Sequence, residues 1–185
     1  MPTYAYTSSI DFIDNLDFDY LETYSFQRGQ EFEEKRIAWT NEFKELTHWE
    51  KKKSGLSELE EARFNELMNE VNSQQKLIVE NGLFHITCQK MSTFKYTDEV
   101  IDRLKAILRT EIVDIPGWLC SPLYRDAIVF YNNKHEIVSA LNVCLGCEYM
   151  QTGSFHFINA DAKTYNLLFD FFKELGHEVE HKYKS

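Results

Sequence analysis

A predicted β-hairpin that ends in a C-x-x-C motif constrains the fold of this 185-residue chain more than any other feature. The continuous apolar run at residues 127–131 has the length of a buried strand. Residues 132–134, Asn-Asn-Lys, follow as a turn, and residues 136–144 return as the second strand. This strand ends at Cys144, three residues before Cys147. Two thiols at this spacing are typical of a metal site, a redox couple or small side chains packed in a core.

Predicted helices on both sides of this hairpin indicate an α+β chain. Only 7 Gly and 3 Pro are present, which favours long regular elements, and 43% of the residues are apolar, which is enough for one core. We therefore predict an α+β fold with an N-terminal helical hairpin and a small, mostly antiparallel sheet around the central β-hairpin. A C-terminal amphipathic helix at residues 161–175 is predicted to pack on that sheet.

Three predicted segments make up one globular unit. Residues 1–26 are an acidic, aromatic N-terminal arm, residues 27–82 are the helical hairpin, and residues 83–185 are an α+β core that carries the cysteines. Within the helical hairpin, Gly55 is suited to end the first helix. Ser57 and Glu60 have the spacing of a capping box at the start of the second helix.

Zinc is the sharpest interpretation of the cysteines, because zinc takes four thiolate or imidazole ligands in a tetrahedron. Cys144 and Cys147 supply two ligands. A hairpin brings the residues before its first strand close to the end of its second strand, so Cys120 is predicted to approach Cys144. The fourth ligand is predicted to be Cys88, with two alternatives, His156 and His85. A second C-x-x-C is missing, and simple burial of the cysteines competes with this interpretation.

Thiol redox chemistry is a second interpretation of the same motif. A C-x-x-C pair activates its first thiol at the N-terminus of a helix, but the sequence after Cys147 is a weak helix start. A thioredoxin-like fold also needs a later cis-proline, and no proline follows Pro122. A third interpretation is a nucleophilic Cys120 paired with one of three histidines: His135, His156 or His85.

Arg125 and Asp126 directly precede the predicted buried strand. The simpler interpretation is an ion pair at the strand entrance. The functional interpretation is that the Arg125 guanidinium binds an anionic group beside the cysteines.

Residues 118–150 resemble a segment shared by uncharacterised bacterial proteins. The resemblance rests on the run Cys-Ser-Pro-Leu-Tyr-Arg-Asp-Ala-Ile-Val-Phe-Tyr at residues 120–131 and on the C-x-x-C of Cys144 and Cys147. It implies that the three cysteines and Arg125 belong to one unit, and it brings no established activity.

Net charge limits the classes of partner. The chain has a formal charge of -10 and a pI near 5.1, which disfavours nucleic acid and anionic membranes and favours a basic protein partner. Half of this charge lies in the N-terminal arm, which contains no Lys or Arg. The acidic residues of the arm, our predicted partner-binding residues, are Asp11, Asp14, Asp17, Asp19 and Glu22.

The sequence also predicts a compartment. Residues 1–6 lack the basic and apolar regions of a secretory signal, and no run approaches the roughly 18 apolar residues of a membrane span. We therefore expect a cytoplasmic protein whose cysteines stay reduced.

Together these features predict a non-catalytic cytoplasmic protein-binding domain with a structural zinc site. One concrete version is an acidic inhibitor, or immunity protein, that neutralises a basic partner. The alternative is a small enzyme or thiol-redox protein built on these residues: Cys120, Cys144, Cys147, Arg125 and His156. A further interpretation is a homo-oligomer formed through apolar residues of the helical hairpin: Trp39, Phe43, Leu67 and Val71.

Overall fold

The computed structural model describes residues 6–26, 28–50, 55–71, 76, 78, 82–85, 88–117, 122–154 and 156–179. Contacts divide the chain into two compact units. The sheet unit comprises Met1–Phe26 and Lys76–Ser185, and the helical unit comprises Gln27–Gln75.

Within its described residues, the sheet unit is built on one seven-stranded mixed sheet. The strands are β1 (Tyr6–Ser8), β2 (Tyr20–Phe26), β3 (Cys88–Lys95), β4 (Asp126–Tyr131), β5 (Ile137–Cys144), β6 (Tyr149–Thr152) and β7 (Phe157–Asn159). Their spatial order is β1-β7-β6-β5-β4-β2-β3. Strands β1 and β7 pair in parallel, and every other neighbouring pair is antiparallel.

Both faces of this sheet carry a hydrophobic core. Successive side chains of a strand point to opposite faces, so Ile128 and Phe130 of β4 lie in one core and Val129 and Tyr131 in the other. Because β4 is buried on both faces, its sequence is continuously apolar instead of alternating.

Three helices cover the face to which Phe130 points. They are α1 (Ser9–Asp14), α4 (Glu99–Leu108) and α5 (Ala162–Glu174). Ser8 caps α1, because its hydroxyl accepts a hydrogen bond from Asp11 N at 2.9 Å. Asp161 caps α5 and also accepts from the backbone N–H groups of Val113 and Asp114, each at 2.9 Å, so one carboxylate fixes a helix start and a loop.

A buried amide attaches a separate segment to the opposite face of the sheet. The Asn142 side chain of β5 is fully buried and accepts from Ile78 N at 3.1 Å. It also donates to Ile78 O at 3.0 Å, so both backbone groups of that residue have partners. Ile78 forms an isolated β-bridge with Phe84.

Two antiparallel helices form the helical unit: α2 (Gln30–Glu50) and α3 (Glu58–Val71). Arg63 of α3 donates two hydrogen bonds to Glu42 of α2, both at 2.9 Å. The rings of Phe43 and Phe64 stack with centroids 5.2 Å apart. The predicted capping box is confirmed, because Ser57 N donates to Glu60 Oε2 at 2.8 Å. Gly55 has the positive φ, +65°, of a helix-ending glycine, but residues 51–54 lie outside the described part of the chain, so its role at the end of α2 stays a prediction.

The predicted fold class is wrong in its architecture. The sheet is a large mixed one, and the described chain begins with strand β1, not with a helical hairpin. The helical hairpin lies between β2 and β3 in the sequence. The physical reason is that the N-terminal arm contributes β1 and β2, and β2 pairs on both edges, with β3 and β4. The loose helical spacing of apolar residues in that arm concealed the aromatic and β-branched residues that favour a strand at residues 20–26.

No described helix combines the length and the low polarity that crossing a membrane would need.

Candidate functional site

The C-x-x-C motif occupies the turn between β5 and β6, which we call the cysteine turn (residues 144–148). Cys144 is the last residue of β5 and pairs with Tyr149, the first residue of β6. Glu148 closes the turn with a φ of +54°, which is uncommon for a residue with a side chain. The motif therefore joins two strands and does not begin a helix, so it lacks the helix N-terminus that activates the first thiol of a redox C-x-x-C pair.

Cys144 is a free, buried thiol, 4% exposed. Burial raises its pKa, although its sulfur accepts hydrogen bonds from the backbone N–H groups of Cys147, Leu123 and Gly146, and the nearby Arg125 guanidinium also favours the thiolate. Three amide donors and a nearby cation are groups that stabilise a thiolate. Burial outweighs them here and favours the protonated thiol.

A second buried group lies beside this thiol. Tyr124 is 1% exposed, and its hydroxyl has no hydrogen-bond partner within the described part of the chain. Burial raises the pKa of Tyr124, and the proximity of Cys144 and Tyr149 raises it further. A buried polar group without a partner is uncommon in folded proteins, so the hydroxyl marks this place as a candidate functional site.

Cys147 differs from Cys144, because it is disulfide-bonded and only half buried. This bond differs from the reduced cysteines that we expected for a cytoplasmic chain. Cys120 lies outside the described residues.

The other predicted zinc ligands do not lie at the cysteine turn. Cys88 begins β3, three strands away from β5, which corresponds to about 14 Å at the usual strand spacing. His85 lies with Cys88, whose backbone N–H donates to His85 O at 2.8 Å, and burial lowers the His85 pKa to about 4. His156 accepts, through its carbonyl, from Thr152 N at the far end of β6, about 10 Å along that strand.

Among the described residues, no group of three or more His, Cys, Asp or Glu side chains could hold a metal ion. The zinc site therefore stays a prediction that depends on Cys120. Of the residues proposed for an enzyme, the structure brings together Cys144, Cys147 and Arg125, and it leaves His156 apart.

The acidic arm residues fall into two groups. Four are exposed around α1 and the loop after it, and we call them the acidic surface: Asp11, Asp14, Asp17 and Asp19. Glu22 lies in β2, where its side chain is 12% exposed. It accepts from Lys90 at 3.0 Å, from Thr93 at 3.2 Å and from the hydroxyl of Tyr24.

Hydrogen bonds hold Glu22 ionised. Burial raises the pKa of its carboxyl, but the hydrogen bonds from Tyr24, Lys90 and Thr93 together outweigh burial, so the pKa lies below its usual value. Glu22 is thus largely buried among internal partners, whereas the four residues of the acidic surface are exposed.

Sequence reasoning missed a buried polar group that we call the histidine cluster: Thr23, Ser25, Asp126 and His177. His177 Nδ1 lies 2.8 Å from Asp126 Oδ1, and His177 Nε2 lies 3.1 Å from Thr23 Oγ1. Ser25 donates to Asp126 at 3.1 Å. The order hydroxyl–imidazole–carboxylate is that of a hydrolase triad, but Thr23 is fully buried and no substrate can reach its hydroxyl. The only sequence signal was a carboxylate at the head of an apolar strand.

Two of the residues proposed for an oligomer interface lie in contacts within this chain. Phe43 stacks on Phe64, and Leu67 is fully buried. The oligomer interpretation stays a prediction.

No protein-family model matches the chain, and searches of curated proteins and of solved structures find no match. The resemblance at residues 118–150 therefore also stays a prediction.

Proposed function

We propose that this chain is a non-catalytic protein-binding domain that takes a basic protein partner on its acidic surface. The observation that carries the proposal is the exposure of four carboxylates between positions 11 and 19, while the apolar residues among them, Phe12, Ile13 and Phe18, are buried in the core. The fold thus buries these apolar side chains and leaves the four carboxylates exposed to solvent.

Internal partners neutralise little of this charge. Asp14 pairs with Arg109 at 2.6 Å, but both side chains are about half exposed, and such surface pairs contribute little. Asp11 bonds to the Ser8 hydroxyl at 2.7 Å. Within the described part of the chain, Asp17 and Asp19 have no side-chain partner. A cluster of like charges attracts a basic partner and accelerates its association, and salt screens that effect. An inhibitor or immunity-type protein for a basic partner is the form that we favour.

The test compares two variants of equal net charge. In one, the four residues of the acidic surface are changed from Asp to Asn. In the other, four exposed carboxylates elsewhere are changed from Glu to Gln: Glu45, Glu61, Glu111 and Glu178. We expect wild type and the control to retain the same basic protein from a lysate at about 50 mM salt, and the Asp variant to lose it. Equal retention by all three chains, or retention that salt does not weaken, would contradict the proposal.

The structural zinc site is a separate proposal for the reduced chain, because zinc binds thiolates and Cys147 is disulfide-bonded in this structure. The three N–H donors around the Cys144 sulfur support it. Metal analysis of protein purified without a metal-binding tag tests it. About one zinc per chain, with thiols protected until chelation, is the expected result for one four-ligand site.

A second candidate function is a small thiol-redox protein. One observation favours it: a disulfide-bonded Cys147 lies three residues from a free Cys144. Thiol–disulfide exchange proceeds by attack of a thiolate on a disulfide sulfur, and this turn contains one cysteine of each kind.

A further inference from the structure

Three tyrosines of β2 and β4 form a continuous row on the face of the sheet to which Tyr131 points, and we call them the tyrosine array: Tyr20, Tyr24 and Tyr131. The hydroxyls of Tyr24 and Tyr131 lie 3.3 Å apart. The rings of Tyr131 and Tyr20 stack with centroids 4.8 Å apart and planes within 5°. Tyr24 and Tyr131 belong to the core on this face, and Tyr20 packs against it. Each tyrosine thus lies against the next, from Tyr24 to Tyr20.

A proton acceptor lies at each end of the tyrosine array. The Tyr24 hydroxyl donates a hydrogen bond to the Glu22 carboxylate. At the other end, the Tyr20 hydroxyl lies 2.9 Å from His135 Nδ1. His135 has a φ of +63°, a conformation that is uncommon for a residue with a side chain and is concentrated at functional sites. Both terminal tyrosines therefore have a base within hydrogen-bond reach.

Glu22 and Tyr24 have the protonation states that a proton transfer between them requires. The pKa of Glu22 lies below its usual value, so this carboxyl is ionised at neutral pH. Burial, followed by the hydrogen bond to Glu22, raises the pKa of Tyr24, so its phenol keeps the proton. Loss of an electron turns a phenol into a strong acid, and a carboxylate already bonded to it then takes the proton.

We propose that the tyrosine array is a proton-coupled radical relay that carries an oxidising equivalent from Tyr20 to a buried resting place on Tyr24. The co-reactant is a diffusible one-electron oxidant, of the class of the nitrogen dioxide and carbonate radicals. Tyr20 gives one electron to this oxidant and its proton to His135 Nδ1, and becomes a neutral phenoxyl radical.

The second step moves the radical inward. An electron passes from Tyr24 to Tyr20 by way of the Tyr131 ring, Tyr20 recovers its proton from His135, and the Tyr24 proton goes to Glu22. The net change is one electron moved from Tyr24 to the oxidant and one proton moved from Tyr24 to Glu22. A small reductant such as ascorbate later returns the electron, and Glu22 returns the proton.

Burial makes Tyr24 the resting place. Tyr24 is 8% exposed, so its radical is shielded from a second chain, with which an exposed phenoxyl radical couples to form dityrosine. This activity is independent of the acidic surface. It is also separate from the cysteine turn, because Tyr131 pairs with Ile137, about 20 Å along β5 from Cys144.

Rapid freeze-quenching of the full chain tests the relay. The oxidant is tris-bipyridine ruthenium(III), generated by a light flash in the presence of persulfate. Electron paramagnetic resonance measures the yield and the lifetime of the tyrosyl radical, and gel electrophoresis measures the dityrosine-linked dimer. We expect wild type to give a long-lived radical and little dimer.

The variants divide the array into two functions. Tyr24→Phe should remove the long-lived radical and increase the dimer. Glu22→Gln keeps a hydrogen-bond acceptor but cannot take the proton, so it should shorten the lifetime by about tenfold. Tyr20→Phe and Tyr131→Phe should lower the yield and leave unchanged the lifetime of the radicals that still form. Tyr6→Phe, at an exposed position of β1, is the control and should match wild type.

Phenylalanine keeps each ring, and circular dichroism checks that every variant is folded before it is compared. A folded Tyr24→Phe chain with the radical lifetime of the Tyr6 control would overturn the proposal, as would a wild-type chain without a long-lived radical. An unchanged lifetime in Glu22→Gln would refute proton transfer to Glu22. An unchanged yield in Tyr20→Phe would show that the oxidant reaches Tyr24 directly, which refutes the relay.

Discussion

The histidine cluster and the cysteine turn are both buried and polar, but they differ in how completely their groups are hydrogen-bonded. In the histidine cluster, both ring nitrogens of His177 have partners, and Asp126 accepts from Ser25 as well. At the cysteine turn, Cys144 retains a free thiol, and the nearby Tyr124 hydroxyl has no partner among the described residues. A fully bonded cluster stabilises and positions elements, whereas a buried group without a partner costs stability and is retained where it has another use. The cysteine turn is therefore the stronger candidate for a functional site, although the histidine cluster has the order of a hydrolase triad.

The largest expected effect comes from breaking the histidine cluster. Asp126→Ala removes the acceptor for both His177 and Ser25 in the core and should lower the free energy of unfolding by about 3 kcal/mol. Denaturant unfolding measures it. Asp170→Ala, at an exposed position of α5, is the matched control and should change stability by less than about 0.5 kcal/mol. An Asp126 variant as stable as the control would mean that these hydrogen bonds do not stabilise the attachment of His177 to β2 and β4.

Removing the partnerless hydroxyl should have a smaller effect of opposite sign. Tyr124→Phe keeps the ring and deletes a buried polar atom without a hydrogen bond, so it should raise the free energy of unfolding by about 1 kcal/mol. Tyr131→Phe is the control, because the Tyr131 hydroxyl lies 3.3 Å from that of Tyr24. That change should lower stability by up to about 1 kcal/mol. If both changes lower the midpoint in thermal or denaturant unfolding, Tyr124 has a partner after all and the contrast between the two regions disappears.

Glu22 is a third kind of polar group, a hydrogen-bonded carboxylate that is partly exposed to solvent. Its pKa is lower in the folded protein than in the unfolded chain, where it is near 4.5. Its contribution to stability is therefore fully present above about pH 4.5 and is lost as the pH falls through the folded pKa. We expect the stability difference between wild type and Glu22→Gln to be constant from about pH 5 to 7 and to shrink below about pH 4.5. A difference that is independent of pH would show that the hydrogen bonds do not depend on the charge of Glu22.

The polar clusters and the strand order could not be predicted from the sequence, because distant segments create them. The histidine cluster joins positions 23, 126 and 177, and the environment of Cys144 depends on Leu123 and Arg125 from the strand entrance. Strand β2 shows the same limit, because its place between β3 and β4 is fixed by partners more than 60 and more than 100 residues later in the chain, which no local pattern contains.

The sequence by itself determined the elements that are stabilised locally. The capping box at Ser57, the C-terminal helix and the β4–β5 hairpin all appear where the pattern predicted them, because their hydrogen bonds and turns involve residues close in sequence. Only the tertiary structure decided that the N-terminal arm forms strands and that Cys88 and Cys144 lie three strands apart. It also left one thiol of the motif free while the other is oxidised. Those outcomes depend on which distant surfaces bury one another, and burial is a property of the folded chain as a whole.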